Sequence, residues 1–183
     1  MSFRKFLQQA TQTGDLVEID KPVNVNYELA NVAHALEGRP GLFNNIINYP
    51  EWRVCAGPCS DRKYFGMDLG VPVPDLTAHL AQATENPLTP PIVERGACQE
   101  IILEQFNLND LPILFHLPQD GGHYIASNVV ITEDPELGRN MCYHRLLRLD
   151  ERRFAARIIE RRGTWTAMQK VAGDLPVAIC IGV

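Results

Sequence analysis

The run Asn140-Met141-Cys142-Tyr143-His144-Arg145 brings an amide, a thiol, a phenol, an imidazole and a guanidinium together. Arg157-Ile158-Ile159 and Arg162-Gly163 follow closely. An asparagine carbonyl is a hard oxygen ligand suited to a divalent cation. Arginine forks and backbone N–H groups suit phosphate oxygens. A glycine beside an arginine lets the main chain come close to such a ligand. Together these residues point to a strand-built site for a phosphorylated cofactor held partly through a metal. An asparagine after a turn is, taken alone, more often a turn former. The arginines downstream of Asn140 shift the balance toward a ligand.

These residues need elements to position them. His123 to Thr132 alternates apolar and polar residues and reads as a strand, followed by strands at about 140–149 and 153–160. Asp134-Pro135-Glu136-Leu137-Gly138 and Leu149 to Arg152 supply the turns, so the region reads as a β-meander. Regular alternation would put Asn140, Cys142 and His144 on one face and Tyr143 and Arg145 on the other. A single site using both sets requires a twist, a bulge or main-chain contacts. Thr164 is placed to cap a helix running to Lys170.

Upstream, Ser2 can cap a helix carrying Phe3, Phe6, Leu7 and Ala10, with Gly14 as its stop. Leu16 to Ile19 reads as a strand and Tyr27 to Leu36 as a helix, ended by Gly38, Pro40 and Gly41. Ile46-Ile47 and Arg53 to Ala56 read as strands, and Ser60 or Asp61 can cap a helix through Leu69. Pro74 suits the first turn of a helix whose face carries Leu76, Leu80 and Ala83. Asn86 to Pro91 is a proline-rich connector. Beyond it, Ile101-Ile102-Leu103 reads as a strand and Leu111 to Leu114 as extended chain. Leu175 to Val183 reads as a buried strand. An apolar strand makes an unusual terminus, so the expectation is a fragment of a longer protein.

Composition excludes several classes. The chain of 183 residues is 45% hydrophobic and 21% charged, which is ordinary for a globular protein. The net charge of −5 weighs against general nucleic-acid binding. Eight of the 17 Lys and Arg nevertheless fall between Arg139 and Arg162, with only Asp150, Glu151 and Glu160 as acids there. Such a stretch is either a solvated strand surface or a local anion site. Five cysteines without a CxxC pair suit neither a disulfide framework nor zinc, and fit a reducing, cytoplasmic setting. No apolar run is long enough to span a membrane. His34, His79 and His116 lack ligand spacing, and His123 is read as a loop-positioning residue.

The spacing Asn140-x-x-Tyr143-x-Arg145, then Arg157-Ile158-Ile159, then Arg162-Gly163, resembles the prenylated-flavin site of the UbiD-type decarboxylases. Phe3-Arg4-Lys5-Phe6-Leu7, Asn109-Asp110-Leu111-Pro112-Ile113 and Asp120-Gly121-Gly122-His123-Tyr124-Ile125 extend the resemblance over essentially the whole chain, as the N-terminal part of such an enzyme. The resemblance implies an α/β fold. Residues 1–100 would form an N-terminal α/β domain, and 101–183 the first part of a flavin-reductase-like split β-barrel, truncated.

It also implies prenylated FMN as cofactor, a divalent metal (manganese) at Asn140, and room for a monovalent cation such as potassium. Tyr143, His144, Arg145, Arg157, Ile158, Ile159, Arg162 and Gly163 would contact the cofactor. Arg145 would also be catalytic, holding a substrate carboxylate in register. Cys142 stands where a small Gly or Ser is common and is read as packing. A glutamate metal ligand and the catalytic acids would lie C-terminal to the matched part.

The implied reaction is reversible non-oxidative decarboxylation of an unsaturated, aromatic or heteroaromatic acid. The fragment itself is expected to be inactive. The complete enzyme is expected to form a homo-oligomer, with no nucleic acid and no integral membrane segment. Two alternatives remain open: a non-catalytic flavin-binding or interaction subunit completed by another chain, and a flavin reductase. Fold class alone does not choose among them.

Overall fold

A computed structural model describes residues 2–182. Helix α1, Phe3–Gln12, starts where Ser2 Oγ accepts from the Lys5 N–H at 3.4 Å. It buries Phe6 and Ala10 against Tyr64, with the Phe6 and Tyr64 rings edge to face at 6.0 Å. Tyr64 belongs to α3, Arg62–Leu69, which Asp61 caps through the Lys63 N–H at 2.8 Å. Gly70 ends α3 with φ +67°, the left-handed conformation glycine adopts at no steric cost.

Between these helices in the chain come the three strands of a first sheet. Strand β1, Val17–Ile19, runs parallel to β2, Gly41–Phe43, which runs antiparallel to β3, Val54–Ala56. Helix α2, Glu28–Ala35, crosses from β1 to β2. Its Leu29 is fully buried with Val23, Val25, Phe43 and Ile46, and Leu114 packs on this core from downstream. Asn26 and Phe115 form an isolated parallel bridge, and the Tyr27 and Phe115 rings lie 4.8 Å apart. Helix α4, Leu76–Glu85, follows a 3-10 turn at Val73–Asp75.

The second half holds two open sheets. One has the order β4 (Tyr124–Ile125), β7 (Leu146–Arg148), β8 (Phe154–Ala156). The other has the order β6 (Gly138–Cys142), β5 (Asn128–Asp134), β9 (Val177–Ile181). All their pairings are antiparallel. Helix α5, Gly163–Lys170, packs on β5 and β6. The molecule is therefore mixed α/β with open sheets, as the fold class expected. Among the described residues no helix is long and apolar enough to cross a membrane.

Several expectations need correction. The stretch 123–132 is two strands, β4 and β5, and 140–149 is two strands, β6 and β7, in different sheets. A simple meander is replaced because β9 returns to pair with β5. Ile46 makes only an isolated bridge with Val23, not a strand with Ile47. The Pro40-Gly41 break conceals a buried strand, β2. Only Leu76 of the α4 face is buried, and Leu80 is exposed. Ile101-Ile102-Leu103 is no strand, and its side chains are 80, 75 and 70% exposed. Strong β propensity without a neighbouring strand to pair with does not make a ladder. Strand β9 leaves Val177, Ile179 and Ile181 exposed rather than buried, and the expectation for Val183 lies outside the described residues.

The contrast between core and connector sets a stability expectation. Leu29→Ala should cost about 2–5 kcal/mol, as truncation in a closed core does. Leu88→Ala, on a side chain 92% exposed, should change stability by less than about 0.5 kcal/mol. Urea unfolding of both variants measures the difference.

Candidate functional site

The ladder of β6 stops at Cys142 and β7 begins at Leu146. Tyr143, His144 and Arg145 lie between, outside both sheets. Likewise β8 stops at Ala156, leaving Arg157, Ile158 and Ile159 unpaired before α5 begins at Gly163. Arg161 has φ +63° where the chain turns into the helix, a sparsely populated conformation for a non-glycine residue. These two released segments and the start of α5 surround one open cavity.

That cavity measures about 520 Å³, within the range of small-molecule sites. It is lined by Asn140, Tyr143, His144, Arg145, Arg157, Ile158, Ile159, Arg162 and Gly163. All nine residues singled out in the sequence thus meet at one place. The alternation problem is resolved by the interruption of the ladder, which frees consecutive residues from opposite faces. Cys142 and Thr164 also line the cavity.

Thr164 is not the helix cap. Arg162 occupies that position without a side-chain cap bond, and Thr164 lies in the first turn. Its Oγ1 instead sits 3.1 Å from Cys142 Sγ and 3.0 Å from His144 Nε2. Sequence reasoning also passed over Asn128, which is buried and whose Nδ2 donates to the His144 carbonyl at 2.7 Å. The signal for Asn128 was a polar residue inside an apolar alternating run. His123 Nδ1 lies 2.7 Å from the Ile113 carbonyl. A carbonyl only accepts, so Nδ1 donates, and His123 holds its loop as expected.

The electrostatics are one-sided. Among the described residues no carboxylate lines the cavity. Arg145, Arg157 and Arg162 form no ion pair with any described residue. The first turn of α5 adds N–H groups that lack intrahelical acceptors. Such a surface attracts an anion. Gly163 permits the closest approach, because a Cβ there would fall 2.8 Å from Asn140 Oδ1 and 2.9 Å from its Nδ2. The amide of Asn140 therefore lies directly against the helix start.

The far end of α5 is tied down separately. Lys170 Nζ donates to both carboxylate oxygens of Asp134, at 3.0 and 3.2 Å, and pairs with Glu136 at 2.9 Å. The N–H groups of Leu137 and Glu136, and then Lys170, hold the Asp134 carboxyl below the usual carboxylate range. Among the described residues no three His, Cys, Asp or Glu side chains converge as a metal-binding group.

Fold and cavity define an α/β protein whose arginine-rich concavity is lined, among the described residues, by no carboxylate. A family model of the 3-octaprenyl-4-hydroxybenzoate carboxy-lyase N-terminal domain matches residues 7–84, and one of the Rift-related domain matches residues 91–183. The chain belongs to the UbiD family. It is 31% identical to an anhydromevalonate phosphate decarboxylase of Methanosarcina mazei, over 100% of this chain and 42% of that protein. A pyrrole-2-carboxylic acid decarboxylase of Pseudomonas aeruginosa is 30% identical over 73% of this chain and 31% of its own length. The structure of an evolved dimeric form of the UbiD-class enzyme HmfF from Pelotomaculum thermopropionicum, in complex with prFMN, superposes with a TM-score of 0.93 at 31% identity. That match covers 100% of this chain and 44% of the other. The chain thus spans under half the length of the relatives it matches.

The Asn140–Gly163 contact can be tested without any ligand. Gly163→Ala should destabilise the fold by about 1–3 kcal/mol, the usual cost of overpacking. Adding Asn140→Ala should recover most of that loss. Urea unfolding of the two single variants and the double variant gives the coupling.

Proposed function

We propose that this chain forms the phosphate end and one wall of a prenylated-FMN site in a UbiD-type carboxy-lyase. The complete protein would carry out reversible, non-oxidative decarboxylation of an unsaturated, aromatic or heteroaromatic acid. One observation carries the reading: an arginine-rich cavity, free of carboxylates, built by two interrupted strands and a helix start. The relatives named above are decarboxylases, and one related structure is a complex with prFMN. They lend no support to a flavin reductase or to a non-catalytic flavin-binding or interaction subunit.

Bound prenylated flavin would supply the electron sink for loss of carbon dioxide. The chain's own residues would bind and orient. Arg162, Gly163 and the first-turn N–H groups of α5 suit the phosphate. Asn140 suits a hard divalent cation, manganese on this reading, shared with that phosphate. Ile158 and Ile159 offer apolar contact to a ring system, with Tyr143, His144 and Arg157 around it. Arg145 would hold the substrate carboxylate through its planar fork. Among the described residues no acid lines the cavity, so the proton that replaces carbon dioxide would come from a group outside them. A potassium ion, an oligomeric assembly and a cytoplasmic location complete the proposal.

The chain of 183 residues, supplied with prenylated FMN, Mn²⁺ and a panel of such acids, should release no carbon dioxide above background. Turnover by this chain alone would place the proton donor among residues assigned no such role. Headspace carbon dioxide measures it.

In the complete protein anchoring and turnover should separate. Arg162→Ala should cost roughly 1.5–3 kcal/mol of cofactor binding, the worth of a charge-assisted bond, or about one to two decades in affinity. Asn140→Ala should also lower occupancy. Arg145→Ala should lower kcat/KM roughly a hundredfold, the scale of a lost positioning group, even at restored occupancy. Arg145→Lys should recover only part of that. Flavin absorbance and steady-state rates decide: full occupancy in both anchor variants, or near-normal turnover in Arg145→Ala, would put the site elsewhere.

A further inference from the structure

Beneath the cavity lie polar side chains to which the reading above gives no task. Thr164 is only 6% exposed. Its Oγ1 is 3.0 Å from His144 Nε2 and 3.1 Å from Cys142 Sγ, and that Sγ is 3.1 Å from the same Nε2. A hydroxyl can both donate and accept, so Thr164 serves Cys142 and His144 in either tautomer of the ring. Asn128, 1% exposed, grips the same segment from the other side. Its Nδ2 donates to the carbonyls of His144 at 2.7 Å and Ile125 at 3.2 Å. Both partners only accept, so the orientation of the amide is dictated by its surroundings. His144 is therefore held at its ring by α5 and at its carbonyl by β5.

We propose that Thr164 is a positioning residue for the phosphate end of the cofactor. Its buried hydroxyl locks the first turn of α5 onto the exit of β6. Thr164 directly follows Gly163, against which the Asn140 amide packs. One joint thus sets three things: the first-turn N–H groups, the asparagine oxygen, and the path of residues 143–145. Removing the hydroxyl leaves the Cys142 thiol and the His144 ring without their shared partner, and frees the turn to shift. The first-turn N–H groups and the Asn140 oxygen face the phosphate end, while Asn128 still holds residues 143–145 through the His144 carbonyl, so the loss falls mainly on phosphate recognition. The inference rests on the reading of the cavity as a phosphate-bearing flavin site.

The test is equilibrium binding of FMN and of riboflavin to the 183-residue chain, followed by flavin fluorescence. Wild type should prefer FMN. Thr164→Val removes the hydroxyl at nearly constant volume. It should lower FMN affinity about tenfold, the low end of what loss of a supporting contact costs a bound group, and leave riboflavin affinity nearly unchanged. Thr164→Ser restores the hydroxyl and should recover most of the FMN affinity. Cys142→Val breaks the same network from the β6 side. It should show the same FMN-selective loss, and it carries the test if Thr164→Val does not fold. A wild-type preference for FMN that survives Thr164→Val, or a loss that serine does not repair, overturns the positioning role and leaves the phosphate reading standing. A wild-type chain that binds FMN no better than riboflavin overturns the phosphate reading and this inference with it. Failure of both valine variants to fold overturns it too, since the network is then a condition of folding rather than of binding.

Discussion

A pleated strand turns successive side chains to opposite faces, so no regular strand can offer Asn140, Tyr143, His144 and Arg145 to a single cavity. The site depends on how the chain escapes that constraint. It leaves the ladder after Cys142 and rejoins a different sheet at Leu146. It leaves a ladder again after Ala156, this time to enter α5. Two such departures side by side open a concavity, and the start of α5 closes one end of it. Leaving a ladder strips main-chain groups of their partners, and buried groups of that kind must find others. Asn128 does this for the carbonyl of His144. Local conformation bears part of the cost, visible as the positive φ of Arg161.

The charges sort themselves by the same geometry. Arg153 pairs with Asp150 across the tight turn between β7 and β8, and Arg139 approaches Glu133 across the β5–β6 ladder. Lys170 is taken up by Asp134 and Glu136. The arginines on the released segments have no acid within reach among the described residues. They create a local positive field in a chain whose net charge is −5. The three arginines are exposed and hydrated, so the asymmetry lies in their placement around one concavity rather than in burial.

Much of this was legible because local chemistry decided it. Ser2 and Asp61 cap the helices expected of them. The lining of the cavity was readable as residue types and spacing. What stayed hidden was decided by pairing at long range. Val129 and Ile131 suggest an ordinary apolar face, yet Asn128, Val130, Thr132 and Asp134 are the buried set. That face lies under α5, and two of its polar residues have tasks there: Asn128 holds the released segment and Asp134 holds Lys170. Thr164 looked like a cap because its type suits one. Its hydroxyl is instead claimed by Cys142 and His144, which arrive from residues far back in the chain. Ile101 to Leu103 looked like a strand because propensity carries no information about whether a partner strand exists.

The uncovered surfaces have a common logic. Strand β9 is an edge of its sheet, with Val177, Ile179 and Ile181 exposed. The Ile101–Leu103 segment is more exposed still. Unprotected edges and apolar runs of this kind favour pairing with further polypeptide. The cavity is one-sided in a parallel sense, lined among the described residues by cations and hydroxyls and by no acid. The relatives carry more than half their length outside what this chain matches. A strand laid on the β9 edge would extend the sheet that carries Asn140 by way of β5 and β6. Pairing at that edge would then be coupled to the cavity, because β5 links β9 to β6 and α5 packs on both β5 and β6.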